Sequence, residues 1–405
     1  MDPELHNNFT FKVVSSKEER EKLTHITSYA FIPSPNDLDR SKKGFESIKD
    51  SYIQGVYPKN EETPIATATS DPMTQNIRGK IVKMGGIEAV ATEPEYRKSG
   101  IVKQLMINIL NHSKESGEVV STLFPFKESF YTRFGYITLP QAKVATIKFH
   151  NLVQATILLL HGTVKHFYLN DVFDHFYKFL GEIQSLIHGF SLMSKSVTEY
   201  SAITNPSYVA FAYDEHDEII GAFVYNTQGH SQNMDIQYFY YKNSNAKFLL
   251  LQFLAKHIDQ FSELTIPCLP ADPIELWLHD AKPKVFTRSW ASNAMGRVVS
   301  VEGLNGIKVG SGSIIVEIRD EFCPWNEGKY HFTEHDGLLH IQKLAPTYDE
   351  LDCELTIEGL SAIIYGGYNI EDFPIKKWIM NYSQDSLKKI MVLFPPVLPF
   401  MHEDF

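Results

Sequence analysis

The residues with the richest chemical potential lie in one stretch, Gly86-Ile-Glu-Ala-Val-Ala-Thr-Glu-Pro-Glu-Tyr-Arg-Lys-Ser-Gly-Ile-Val-Lys-Gln-Leu105. An apolar strand carrying Val90 ends at Thr92, Pro94 starts a turn, and Arg97-Lys98-Ser99-Gly100 opens a helix. A loop of this kind aims backbone N–H groups and a helix N-terminus at one point, which suits a pyrophosphate. Arg97 and Lys98 add positive charge, and Gly100 lets the backbone approach a ligand closely. A plain strand-loop-helix turn is the competing reading.

Two further stretches draw attention. Phe124-Pro-Phe-Lys-Glu-Ser-Phe-Tyr131-Thr-Arg-Phe-Gly-Tyr136 concentrates aromatic side chains after a second apolar strand. The chain closes on Leu398-Pro-Phe-Met-His-Glu-Asp-Phe405, an apolar ending where polar, frayed residues are usual. The run Ile390–Met401 contains Pro395, Pro396 and Pro399. It is too short and too kinked to span a membrane.

Other chemistries find little support. Cys268, Cys323 and Cys353 are far apart and form no CxxC pair, so neither a zinc site nor a disulfide framework is expected. Buried, idle thiols in a cytoplasmic protein are the simple reading. His331, His335 and His340 straddle a hairpin with a mixed strand period and read as surface histidines; no metal is expected. There is no G-x-S-x-G elbow and no Walker loop. The 405 residues carry a formal net charge of −11. That disfavours general binding to nucleic acid or anionic membrane and favours cationic substrates such as amines. The opening Met1-Asp2-Pro3-Glu4 lacks the basic and apolar regions of a signal peptide, which again suggests the cytoplasm.

These residues need elements to position them. The spacing predicts a strand over 11–16, a helix over 17–31 capped by Ser15 or Ser16, and a polar helical stretch from Pro35. Strands follow near 52–57, 65–70 and 79–92, the last with a bulge or break at Gly85-Gly86. A helix from Gly100 to Gly117 places Ile101, Val102, Leu105, Met106, Ile109 and Leu110 on one face. A strand at 119–124 and a short helix bearing Phe130, Tyr131 and Phe134 complete an α+β domain over 1–150. The order recurs over 151–292: a helical region at 165–197, a hairpin of 208–213 and 219–225, a strand at 234–241, a helix at 246–257 and a strand at 263–266. Over 293–405 the pattern changes to short strands (297–301, 313–318, 331–333, 338–342 and 355–357) with helices near 358–366 and 383–390. No Ser/Gly/Pro-rich linker separates the three parts.

The loop resembles motif A of the GNAT superfamily of N-acetyltransferases, Arg/Gln-x-x-Gly-x-Gly/Ala, read here as Arg97-x-x-Gly100-x-Val102 after Val90 and Pro94. The second small residue has become Val102. In that superfamily a strand followed by Y-x-x-x-G-[FY] sets a tyrosine near the sulfur of coenzyme A, and Tyr131 stands four residues before Gly135. A phenol with a reference pKa near ~10 is protonated at neutral pH and can protonate a leaving thiolate. Packing is the competing role for Tyr131. The whole chain is similar to the Eis (enhanced intracellular survival) acetyltransferases, which also lack the second small residue. The resemblance implies an α+β chain of tandem GNAT-like folds followed by a sterol-carrier-protein-like domain. The second GNAT copy would lack its cofactor site: Tyr240-Tyr-Lys-Asn-Ser-Asn-Ala-Lys247 has no glycine where the loop should be.

The resemblance further implies acetyl-CoA as co-substrate, held by Val90, Thr92, Arg97, Lys98, Gly100, Ile101 and Val102. It implies catalysis by Tyr131 and by the terminal carboxylate of Phe405, with Phe394, Val397, Leu398, Phe400 and Met401 anchoring the tail. A terminal carboxylate has a reference pKa of roughly 3.3–3.7, so capture of a cationic amine is as good a role for it as proton abstraction. A tail that merely packs is the other reading. Acceptor-side candidates are Glu403 and Asp404, with simple solvation as the competing reading, and Tyr29 and Phe31, with core packing as the competing reading; Asp37 or Asp39 could add a charge, but no family residue is carried over to them. The expected reaction is direct transfer of acetyl to primary amines of polyamine, aminoglycoside or lysine type. The alternatives are a longer-chain acyl-CoA acyltransferase and a non-catalytic lipid-binding or scaffold protein. The family's hexamers imply a homo-oligomer.

Overall fold

Side-chain caps set several helix starts in this protein. The computed structural model describes residues 8–31, 50–227, 233–287 and 293–402. Strand β1 (Phe9–Val14) leads to helix α1 (Lys17–Phe31). Ser16 Oγ accepts the Glu19 N–H at 3.2 Å while Glu19 accepts the Ser16 N–H at 3.3 Å. This reciprocal box satisfies two of the helix's orphan donors. The expected polar helix from Pro35 falls outside the described residues.

Strands β2 (Tyr52–Pro58), β3 (Ala66–Ile77) and β4 (Lys80–Thr92) form an antiparallel meander. Strand β3 runs well beyond the expected 65–70. Helix α2 (Ile101–Glu115) buries Ile101, Leu105, Met106, Ile109 and Leu110, and strand β5 (Val120–Leu123) follows. The short helix α3 (Glu128–Tyr131) leads to β6 (Ile137–Thr138). The sheet order is β1-β2-β3-β4-β5, then a strand from the last third, then β6.

That inserted strand, Met295–Val298, pairs antiparallel with both β5 and β6. The first and last thirds accordingly make one compact unit, from the N-terminal residues to Leu139 and from Asn293 to Val397. Arg297 is fully buried within it and meets Asp320 at 2.6 Å; it also donates to the Phe134 carbonyl. Gly135, at φ +82°, is where only glycine fits: a Cβ would strike Ile357 and the Arg297 guanidinium. Arg78 donates to the carbonyls of Ile363, Ile364 and Pro395. A separate sheet of the last third lies in the order 338–343, 328–335, 313–319, 353–356, 379–380, backed by helices at 357–365 and 384–393.

The middle third, from Pro140, forms the other unit together with Leu398–His402. Its strands are β7 (Lys143–Lys148), β8 (Thr163–Tyr168), β9 (Tyr208–Tyr213), β10 (Ile219–Asn226), β11 (Met234–Tyr241), β12 (Glu263–Cys268) and β13 (Lys284–Thr287). The order is β13-β7-β12-β11-β10-β9-β8. Helix α4 (Phe173–Leu186) covers one face, α5 (Lys195–Thr204) follows it, and α6 (Ser244–Ala255) enters the other core cluster. The helical reading of 165–197 is corrected at its start. Thr163–Tyr168 pairs antiparallel with β9, whose exposed edge its alternating side chains suit.

Candidate active site

The site is built where β4 stops being an ordinary strand. Glu88 faces Thr69 and Ala91 faces Thr67, so Ala89 and Val90 together oppose Ala68. Ala89 takes φ +52° to close this bulge, an uncommon conformation for a residue with a Cβ. The bulge therefore lies at Ala89, and not at Gly85-Gly86 as expected; those glycines pair regularly with Pro72 and Asp71. Gly85 has a different reason to lack a side chain, because a Cβ there would strike the Glu118 carboxylate and Ser70 Oγ.

Strand β4 also parts from β5. Their parallel pairing covers Met84–Ile87 against Val120–Leu123, while β4 continues to Thr92. The backbone groups of residues 88–92 on that edge are left without a strand partner, and such an edge accepts an extended ligand by adding hydrogen bonds. Beyond it, Lys98 at φ +66° and Gly100 at φ +88° turn the chain into α2. Gly100 supplies no side-chain cap, so the first N–H groups of α2 stay open to an anion.

A cleft of about 870 Å³ lies over these groups, lined by the bulge strand, the 96–103 loop and the start of α2. Val90, Thr92, Arg97, Lys98, Gly100, Ile101 and Val102 all line it. Arg97 folds back to donate to the Thr92 carbonyl at 3.2 Å. The Thr92 hydroxyl is buried in the wall with no hydrogen-bond partner. Lys103 and Arg133 add two charges that the motif did not mark, and Phe126, Phe130 and Phe134 make the apolar wall. Tyr29 and Phe31 are exposed at the end of α1 and line the cleft as well, so core packing is not their role.

Tyr131 stands apart from these. It is 3% exposed and does not line the cleft. Its ring packs on Phe130 and Phe126, with centroids 5.0 and 5.8 Å away. Burial pushes its phenol above the usual range, so it stays protonated. Phe405, with Glu403, Asp404, Asp37 and Asp39, lies outside the described residues. All three cysteines are free and buried, and burial raises each thiol, to about 11 for Cys268 and about 12 for Cys323 and Cys353. Such thiols are poor nucleophiles. His335 and His340 lie edge to face at 4.8 Å, and the described residues hold no group of three placed to bind a metal.

The corresponding strand and helix start in the second copy are arranged differently. Strands β11 and β12 pair in parallel only at Met234–Asp235, so the splay is retained. The start of α6, however, is capped by Asn243, whose side chain accepts the Ala246 N–H at 2.9 Å. Asp272 then gathers Lys247 at 2.7 Å, Trp277 Nε1 at 2.9 Å and the Tyr241 hydroxyl, with Trp277 stacked on Phe239.

The tail residues of this unit are held tightly. Phe400 N donates to the His188 carbonyl at 2.8 Å, and Gly189, at φ +83°, leaves room for Pro399. His402 lies 2.7 Å from the Tyr240 hydroxyl and stacks on Phe190. Burial pushes its pKa down to about 3. The stability carried by this neutral imidazole is complete above its ordinary 6.5 and is lost as pH falls from there toward 3. The expected loss is about 1.4 kcal/mol per pH unit. Protection factors for amide exchange at residues 398–402, taken relative to the intrinsic rate at each pH, should therefore fall between pH 7 and pH 5, and His402→Phe should flatten that dependence. An identical slope in the variant would assign it to another group.

The acetyltransferase (GNAT) domain family matches residues 14–138, and a second acetyltransferase (GNAT) domain family matches residues 188–298. The sterol carrier protein domain family matches residues 304–402. No curated protein matches the sequence. Among solved structures, a conserved protein of unknown function and probable N-acyltransferase from Enterococcus faecalis V583 superposes with a TM-score of 0.82 at 20% identity, over 98% of this chain and 99% of that one. A GCN5-related N-acetyltransferase from Anabaena variabilis gives 0.80 at 20% identity, over 98% and 100%. Eis1 from Mycobacterium abscessus gives 0.78 at 16% identity, over 98% and 100%. The chain is thus a tandem of GNAT domains followed by a sterol-carrier-like domain, the domain content of a GNAT-type N-acetyltransferase. Among the described residues no helix is long and apolar enough to cross a membrane.

Proposed function

We infer that this chain transfers an acetyl group from acetyl-CoA to primary amines by direct attack, in the manner of the Eis enzymes. One observation carries the reading. An open strand edge, an uncapped helix start and the four cations Arg97, Lys98, Lys103 and Arg133 meet at one cleft. Pyrophosphate would sit against the N–H groups that open α2, with Arg97 and Lys98 beside it. Pantetheine amides would pair with the free edge at Val90 and Thr92. The donor supplies an activated thioester; the rest is positioning and proton traffic by the chain's own groups. The N–H groups freed at the bulge are suited to polarise the thioester carbonyl. Tyr131, packed behind Phe126 and Phe130 of the cleft wall, would protonate the departing sulfur from between those rings, and the Phe405 carboxylate would orient the amine or take its proton. The second copy is given no such role: the Asn243 side chain already takes the Ala246 N–H at the corresponding helix start.

The test is thiol release from acetyl-CoA with a panel of polyamines and aminoglycosides. Turnover on at least one amine is expected. No turnover on any, with no binding of coenzyme A, would end the reading. Gly100→Val addresses the cleft itself. A β-branched residue at φ +88° is strained by roughly 1–2 kcal/mol and would reshape the start of α2. The apparent KM for acetyl-CoA should rise about 10-fold or more, while the acceptor KM changes little.

A further inference from the structure

The charge of the cleft runs against that of the chain. Arg97, Lys98, Lys103 and Arg133 line it, and among the described residues no aspartate or glutamate does. The whole chain carries a formal −11. A local excess of positive charge in so acidic a protein suits a highly charged anion. The pyrophosphate placed at the start of α2 carries two negative charges, which Arg97 and Lys98 match. Lys103 and Arg133 are left over.

Both leftover cations rest on aromatic rings. Lys103 Nζ lies 5.7 Å from the centroid of Phe322, and the Arg133 guanidinium lies 4.9 Å from that of Phe130. Phe134 packs on both rings, with centroids 5.0 Å from Phe322 and 5.7 Å from Phe130. Lys103 and Arg133 are thus tied to one aromatic row, and Phe130 and Phe134 of that row line the cleft. Neither cation has an ion-pair partner among the described residues. A ring face holds a cation in place without neutralising it, so part of the ordering cost is met before a ligand arrives. Phe322 lies in the stretch matched by the sterol carrier protein domain family, so the last third of the chain supplies one of these rings. Lys103 is the third residue of α2, and helix side chains lean toward the helix N-terminus, which keeps its stem beside the pyrophosphate position. In coenzyme A the 3′-phosphate hangs from the same ribose that bears the pyrophosphate, so the two anionic groups are one sugar ring apart.

We propose that Lys103 and Arg133 form a subsite for the 3′-phosphate of coenzyme A and make this chain select that donor over its 3′-dephospho form. The proposal rests on the acetyltransferase reading and names a determinant of donor choice within the same cleft. A phosphomonoester carries roughly −1.5 to −2 at neutral pH, so together with the pyrophosphate the ligand comes close to balancing the four cations. Arg133 offers a fork of N–H donors to two phosphate oxygens, and Lys103 offers a point charge. Phe322 is a positioning residue that acts through Lys103. The subsite changes donor affinity and takes no part in proton transfer.

Calorimetric titration of the full chain with coenzyme A and with 3′-dephospho-coenzyme A tests the subsite. Wild type should bind coenzyme A about 30-fold more tightly than the dephospho form. Lys103→Gln combined with Arg133→Gln should bring coenzyme A down to the affinity of the dephospho form, whose own affinity stays within about threefold. Both side chains are exposed, so the fold should tolerate the change, which thermal unfolding checks. Phe322→Leu should lower the preference about threefold, and an unchanged preference there would remove its positioning role. Equal affinity for the two ligands in wild type, or a preference that survives in the double variant, would overturn the subsite and leave the acetyltransferase reading standing. No binding of either ligand to wild type would end both.

Discussion

Tyr131→Phe should lower kcat about 100-fold to 1,000-fold while leaving the KM for acetyl-CoA within about threefold. The substitution keeps the ring, so its contacts with Phe126 and Phe130 survive, and thermal stability should scarcely change. That separates the two readings of a buried tyrosine. A residue that only packs would lose nothing in kcat when its hydroxyl is removed. A proton donor to sulfur would lose the step in which the thiolate departs. Burial keeps the phenol protonated across the working pH range, so the wild-type rate should show no alkaline limb from this group below pH 10. Removal of Phe405 should act on the other proton path, lowering kcat/KM for the amine more than that for acetyl-CoA. Unchanged turnover in both variants would remove this mechanism.

The second large effect is on stability. Arg297→Met should cost about 3–5 kcal/mol, because Asp320, 1% exposed in its side chain, would be left as an unpaired buried charge. The Phe134 carbonyl loses its donor in the same step. A fall in Tm of about 10 °C is expected for a unit of this size. Arg297→Met with Asp320→Leu should recover much of that loss, since a buried pair contributes more by its mutual neutralisation than by net attraction. The consequence reaches the cleft, because Phe134 is part of its wall. A loss in Arg297→Met below 1 kcal/mol would show that water or a shifted backbone satisfies Asp320.

The loop was legible because its chemistry is local. Arg97, Lys98 and Gly100 are neighbours in sequence, and the apolar face of α2 follows at helical spacing, so seven lining residues could be named in advance. Tyr131 was legible as a position but not as a burial state: its depth depends on Phe126, Phe130 and Tyr136 folding over it. The bulge moved from the glycines to Ala89 because a β-bulge is a relation between two strands, and β3 sets it through Ala68. The sequence reads a strand at 297–301 and the structure places it at Met295–Val298; nothing local says that it enters the first sheet, between Val120–Leu123 and Ile137–Thr138.

The central claim is that one cleft, over Val90–Val102, holds acetyl-CoA. Calorimetric titration of the full chain with acetyl-CoA tests it most directly. The account predicts one site per chain, weakened about 10-fold or more by Gly100→Val and unchanged by Asn243→Ala. No binding at all, a second site in the wild-type chain, or full affinity retained in Gly100→Val would contradict it.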